Sequence, residues 1–392
     1  MNRVEVSTDQ AIDRFVKLTA IEGRSGQEAA VAEHISQILI EAGLDKRNIR
    51  FDGAETRTRL KGDCGNLIVE LPGTDSDRPS TLLSAHMDTV PVCLGSRPVV
   101  EGDYVISDSE TGLGADNRSG CCAVLTAAVE RLRSGIEDLA PAKLLFTIQE
   151  EVGLEGARHL DVSSLGQIDR AINFDGGNVD KLTTGAIGGE RMEIQITGLP
   201  AHAGLAPQEG ISAIVIAAKA IASLDEQKWL GRVEKESGKG TSNVGVIQGG
   251  EATNVVTPEL FLKAEARSHQ AEFRTEIVRN IREAFEQAAS QVTNDSGVTG
   301  SVTFESHVDY ESFRLDDDDP SVVAAEKCLK AIGREPFRAV ANGGLDANWL
   351  FRHGIHAVTI GCGQLNIHTA DEKLFIPDYL DACRLATAMI CE

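Results

Sequence analysis

Seven side chains in this sequence could act together: His86, Asp88, Asp116, Glu150, Glu151, Asp175 and His368. His86 and Asp88 end the run TLLSAHMDTVP (81–91). Two residues apart on extended chain, they point the same way, so the carboxylate can orient the imidazole. Asp116 lies between the glycines of GLGADNRSG, where the backbone can bend tightly before a helix, and it either caps that helix or serves as a ligand. FTIQEEVG ends a strand in Glu150 and Glu151, which face opposite ways on extended chain and so should not share a role. NFDGG contributes Asp175 and QLNIHT contributes His368.

Each of these pieces is weak alone, because loops are polar anyway. Their convergence on one sheet edge is informative. Carboxylates crowded at the dry mouth of a sheet repel one another unless a cation or proton intervenes. His86, Asp116, Glu151, Asp175 and His368 are too many donors for one tetrahedral zinc with an open position, but they suit two divalent ions if one carboxylate bridges. Such a pair can hold a hydroxide and polarise a carbonyl, which leaves Glu150 free as general base.

The elements that must position these groups alternate between strand and helix. Residues 8–44 read as two amphipathic helices separated by GRSG, the second opened by a capping box of Ser25 with Glu28. Strands are expected at 66–71, 82–85, 143–149 and 171–174, with a core helix at 123–132. This order predicts a mainly parallel sheet with helices on both faces. Past residue 185 the rhythm changes to a β-α-β-β-α-β series: strand 193–197, helix 212–224, strands 242–247 and 260–267, helix 271–290 and strand 301–307. From 312 the first style resumes, with helices at 322–332, 348–352 and 379–390 and strands at 337–341 and 357–361. The expected architecture is therefore an α/β domain of residues 1–185 and 312–392, interrupted by a smaller α+β domain of 186–311.

At 392 residues the chain is long enough for two domains. Its net charge of −22 disfavours nucleic acid and anionic membrane as partners. No apolar run reaches membrane-spanning length, and MNRVEVSTDQ lacks the apolar core of a signal peptide, so a cytoplasmic location is expected. The eight cysteines include no CxxC and read as reduced, buried thiols.

HMDTVP, GLGADNRSG, QEEVG, NFDGG and the late His368 together resemble the co-catalytic di-zinc metallopeptidases that include aminoacylase, the carboxypeptidase G type and peptidase T. The order and spacing match over essentially the whole chain, nearest to the peptidase T-like aminopeptidases of short peptides. The resemblance implies two zinc ions per subunit, for which Co²⁺ or Mn²⁺ could substitute in vitro. It implies Asp116 as the bridge, His86 and Asp175 on one ion, Glu151 and His368 on the other, and a cis bond between Asp116 and Asn117. Asp88 would orient His86, and Glu150 would be the base toward a metal-bridging water.

In the inserted domain, GLPAHAG, GGEATNVVTP and AEARS are similar to family segments. They imply His202 as a donor to the developing oxyanion, with Asn254 and Arg267 near the substrate; Arg267 could clamp a terminal carboxylate. NGGLD matches the GG-x-D turn of peptidase T and makes Gly343 and Gly344 backbone contacts to substrate, with Asp346 a helix cap. Asn342 stands where peptidase T has arginine, so strict tripeptide selectivity is not implied. Relatives also suggest a homodimer through the inserted lid domain. A sibling reading on the same fold is an amidase or deacylase acting on N-acyl amino acids.

Overall fold

The computed structural model describes residues 4–74, 78–136 and 138–391. The chain divides into two compact units, Met1–Gly185 with Arg314–Glu392, and Ala186–Phe313. The second crossing falls after Phe313 and not at 311, because strand Ser301–Tyr310 runs on and Glu311 pairs with Arg274 of the same unit at 2.8 Å.

The first unit is built on a nine-stranded sheet. Its four central strands, Ala142–Thr147, Thr81–His86, Arg170–Phe174 and Ala357–Ile360, are parallel. Antiparallel strands flank them: Leu67–Leu71 with Ile49–Phe51 on one side, Lys181–Ala186 on the other. The sheet is thus mixed, parallel at its centre. Every residue of Thr81–His86 is buried, and since successive side chains point to opposite faces, both faces of this strand are covered. Helix Ala115–Arg133, rich in small residues, packs against helices Thr8–Thr19 and Ile376–Cys391 and against the central strands.

A separate four-stranded antiparallel sheet was not foreseen. It pairs Gln364–Leu365 with Lys373–Phe375, then Tyr104–Ser107, then Pro98–Glu101. Its strands are short, and Pro98–Glu101 is largely exposed, so no apolar period marks it. It still matters, because the hairpin 364–375 carries His368.

The second unit is a five-stranded antiparallel sheet in the order Gly231–Lys235, Gly238–Gln248, Glu259–Ser268, Gly188–Thr197, Ser301–Tyr310. The expected series lacked the edge strand Gly231–Lys235 (GRVEK), which is mostly polar. Gly188–Thr197 alternates buried and exposed from Met192 onward. Its inward residues Met192, Ile194 and Ile196 join Ile216 and Ala220 of helix Ala213–Glu226 and Ile277, Ile281 and Phe285 of helix Ala271–Gln291 in one core. No helix among the described residues is long and apolar enough to cross a membrane.

Candidate metal centre

Three of the four central parallel strands deliver polar groups at their carboxyl ends, where open α/β sheets place their sites. His86 is the last residue of its strand, Glu150 and Glu151 follow Ala142–Thr147, and Asp175 follows Arg170–Phe174. His86, Asp116 and Glu151 offer ligand atoms within 4.8 Å of one another, and so do His86, Glu150 and Asp175.

Asp116 stands between the two histidines. Its Oδ1 lies 3.1 Å from His86 Nε2 and its Oδ2 3.3 Å from His368 Nε2. His368 Nε2 also lies 3.0 Å from Glu151 Oε1. Helix Ala115–Arg133 is non-helical at Asp116 and Asn117, and the Asp116–Asn117 peptide is cis. Asp116 is therefore not a cap. Two contacts hold the bend: the Asn117 amide donates to Phe174 O at 2.7 Å, and its Oδ1 accepts from Gly120 N at 3.0 Å. A Cβ on Gly120 would lie 2.3 Å from Phe174 O, so only glycine allows this approach.

Asp88 does more than its spacing suggested. It is completely buried, and Oδ1 lies 3.3 Å from His86 Nδ1, which fixes the imidazole with Nε2 toward Asp116. The same carboxylate accepts the N–H of Glu150 at 3.0 Å, the N–H of Glu151 at 3.2 Å and the hydroxyl of Ser25 at 2.6 Å. Glu150 and Glu151 accordingly lie in a turn past the strand end, not on extended chain. The expected capping box at 25–28 is also absent: Ser25 bonds Asp88, while Glu28 accepts from Gly26 and Gln149. The Ser-x-x-Glu spacing resembled a helix start, yet both side chains serve the site loops.

Glu372, which follows His368 and reads in sequence as either a support to the ligands or a surface residue, is the former: it is 2% exposed and accepts from Gly114 N at 2.6 Å and Asp116 N at 2.9 Å. It anchors the Asp116 loop. Asp346 is not a helix cap either, since Asn348 caps the Leu345 N–H. Asp346 is buried, accepts the Thr147 hydroxyl through Oδ2, and has no partner for Oδ1 among the described residues. Burial pushes its carboxyl up to about 6.

The electrostatics of the cluster call for a cation. Burial, reinforced by the charge of Asp116, pushes Asp175 up to about 8, and burial holds Glu150 well above the usual carboxylate range. Burial also raises Glu151. Asp116 feels the same burial, but hydrogen bonds from His368 and His86 outweigh it and bring it down to about 2. His368 is raised to about 10 by its bonds to Asp116 and Glu151. Imidazole nitrogens facing carboxylate oxygens, with further carboxylates that burial disfavours as anions, form a donor set suited to divalent ions of the zinc class.

Gly343 and Gly344 lie in the turn before helix Asp346–Arg352, Gly343 exposed. The second unit holds the remaining expected residues. His202 is exposed, and its Nδ1 accepts the N–H of Gly204 at 3.1 Å and of Leu205 at 3.2 Å, which leaves the proton on Nε2. Asn254 adjoins it, since Ala203 N donates to Asn254 O at 2.9 Å. Arg267 already holds a carboxylate: its Nε and Nη2 donate to the two oxygens of Glu265, each at 3.0 Å. A substrate carboxylate would share or displace that pair.

Comparison with known proteins gives consistent matches. Residues 184–293 match the peptidase dimerisation domain of the M20 peptidases and residues 66–199 match peptidase family M28. The Bacillus subtilis protein YqjE is 34% identical, over 99% of this chain and 99% of its own. The crystal structure of aminopeptidase PepT from Bacillus cereus is 31% identical, covers 98% of both chains and has a TM-score of 0.85. That of a tripeptidase from Staphylococcus aureus is 30% identical, covers 98% of both and has a TM-score of 0.88.

Proposed function

Since the chain belongs to the peptidase T-like branch of the M20 peptidases and is an exopeptidase-type enzyme, we propose that it is a di-zinc aminopeptidase of short peptides. The carrying observation is Asp116, whose two carboxylate oxygens face two different imidazoles. His86 and Asp175 would hold one ion, Glu151 and His368 the other, with Asp116 between them. Bound there, the ions would supply Lewis acidity toward the scissile carbonyl and lower the pKa of water.

The chain's own groups would do the rest. Glu150 lies in the same cluster as His86 and Asp175 without being needed as a ligand, and its raised pKa suits a group that takes a proton from the attacking water and returns it to the leaving amine. Asp88 keeps the His86 proton on Nδ1, so the Nε2 lone pair stays available. We assign His202 the oxyanion donation its Nε2–H permits, and Asn254, Arg267, Gly343 and Gly344 contacts to the peptide. The inserted unit is assigned as lid and dimerisation domain, which the match over 184–293 supports. The eight free thiols fit a reducing, cytoplasmic setting.

The test is hydrolysis by zinc-loaded enzyme of di-, tri- and tetrapeptides, with free and acetylated amino ends, alongside N-acetyl amino acids. Release of the first residue from free tripeptides, and a drop of about 10²–10⁴-fold in kcat for Glu150→Ala, is expected. Preference for N-acetyl amino acids would move the enzyme to the amidase and deacylase side. An undiminished Glu150→Ala would remove the proposed base.

A further inference from the structure

Away from the strand-end cluster, Glu28, Asp63 and Cys64 each offer one ligand atom within 4.8 Å of the others. Glu28 immediately precedes helix Ala29–Glu41, and Asp63 and Cys64 lie in the loop before strand Leu67–Leu71. Acidic groups gather on many protein surfaces without meaning. Here two buried orphans mark the place. Glu28 is 0% exposed; its Oε1 accepts from Gly26 N at 2.9 Å and Gln149 N at 3.0 Å, while Oε2 has no partner among the described residues. Gln149 is also 0% exposed, and neither atom of its carboxamide has a partner among the described residues. Its Nε2 stands against the same loop, 2.9 Å from where a Cβ on Gly62 would lie.

Buried polar atoms are nearly always satisfied, so the unpartnered Glu28 oxygen at this ligand cluster points to an absent partner, and the Gln149 carboxamide beside it, whose NH₂ donates, could join only through its oxygen or a bound water. The charges say which sign it has. Burial and then the charge of Asp88 push Glu28 up to about 8, and burial together with Glu28 and Asp63 raises the Cys64 thiol. A cation relieves both. Thiolate sulfur beside two carboxylates selects an ion of the zinc class over magnesium or calcium, and three protein ligands leave one tetrahedral position for water.

We propose that Glu28, Asp63 and Cys64 form a divalent-ion site distinct from the strand-end centre. As the sulfur–metal bond forms, the Cys64 S–H bond breaks and its proton passes to solvent. The ion holds Glu28 ionised, and Glu28 Oε1 holds the N–H of Gln149, the residue before Glu150. The site therefore fastens the Glu150–Glu151 turn from behind.

The test is titration of the metal-free full-length chain with Co²⁺. The strand-end ligands are nitrogen and oxygen donors, so a sulfur-to-cobalt charge-transfer band in the near ultraviolet that Cys64→Ser abolishes reports on Cys64. Its expected behaviour is growth to saturation in the wild type, disappearance in Cys64→Ser with one ion fewer bound, and saturation only at tenfold or more higher Co²⁺ in Glu28→Gln. Absence of the band at excess Co²⁺, or its survival in Cys64→Ser, would overturn the site. Peptide hydrolysis by the zinc-loaded wild type is assayed separately, so a missing band with retained hydrolysis sinks this site and leaves the peptidase reading intact.

Discussion

The two histidines of the strand-end cluster are held in opposite ways. His86 is 2% exposed, sits in regular strand, and is gripped at both ring nitrogens, by Asp88 and by Asp116. His368 is 47% exposed at its side chain, lies in a hairpin loop with φ of 63°, and makes its described contacts through Nε2. Both can face the same bridging carboxylate. One half of the centre is thus part of the core and the other half is applied to it, so the two proposed ions should differ in how tightly they are kept.

Substitution at the buried half should have the largest effect. His86→Ala removes a group shared by both strand-end ligand clusters, and metal analysis of the purified variant, made in a Cys64→Ser background so that only the strand-end centre is counted, should find less than one ion per chain with no measurable peptidase activity. His368→Ala in the same background should retain one ion. Equal retention by the two variants would show that the two halves hold metal alike. Next comes chelation: dialysis against a chelator should release metal from the strand-end centre in two phases, followed in the Cys64→Ser background, the faster belonging to the Glu151–His368 side, and adding His368→Ala should remove that fast phase. A single phase in that background would show that the ions leave together. A smaller loss is expected from Asp88→Asn, about 10–100-fold in metal affinity or activity, as for other groups that orient a metal-bound imidazole. Because Asp88 also takes the N–H of Glu150, kcat should fall along with affinity; a change in affinity alone would confine Asp88 to the histidine.

The sequence made the buried half legible and left the applied half partly hidden. His86, Asp116, Glu150 and Asp175 follow apolar runs or glycine-bracketed turns, and such local signals survive without knowledge of the fold. His368 could be read only as a late histidine, since the hairpin that presents it rests on two- and three-residue strands with no period to detect. Glu372 and Ser25 were less legible for another reason. Their partners, Asp116 and Asp88, are 256 and 63 residues away, and a side chain whose partner is distant in the chain looks in sequence like any surface polar group. The Ser25–Glu28 spacing even satisfied a local rule that tertiary contacts then overrode.

Thr81–His86 is laced on both sides to parallel neighbours, His86 opposite Thr147 and Ser84 opposite Asn173. The relative heights of three ligand-bearing strand ends are thereby written into main-chain pairing and do not depend on whatever occupies the space between them. A chain emptied of ions keeps its template, so replenishment should resemble refilling a mould and proceed without a refolding lag.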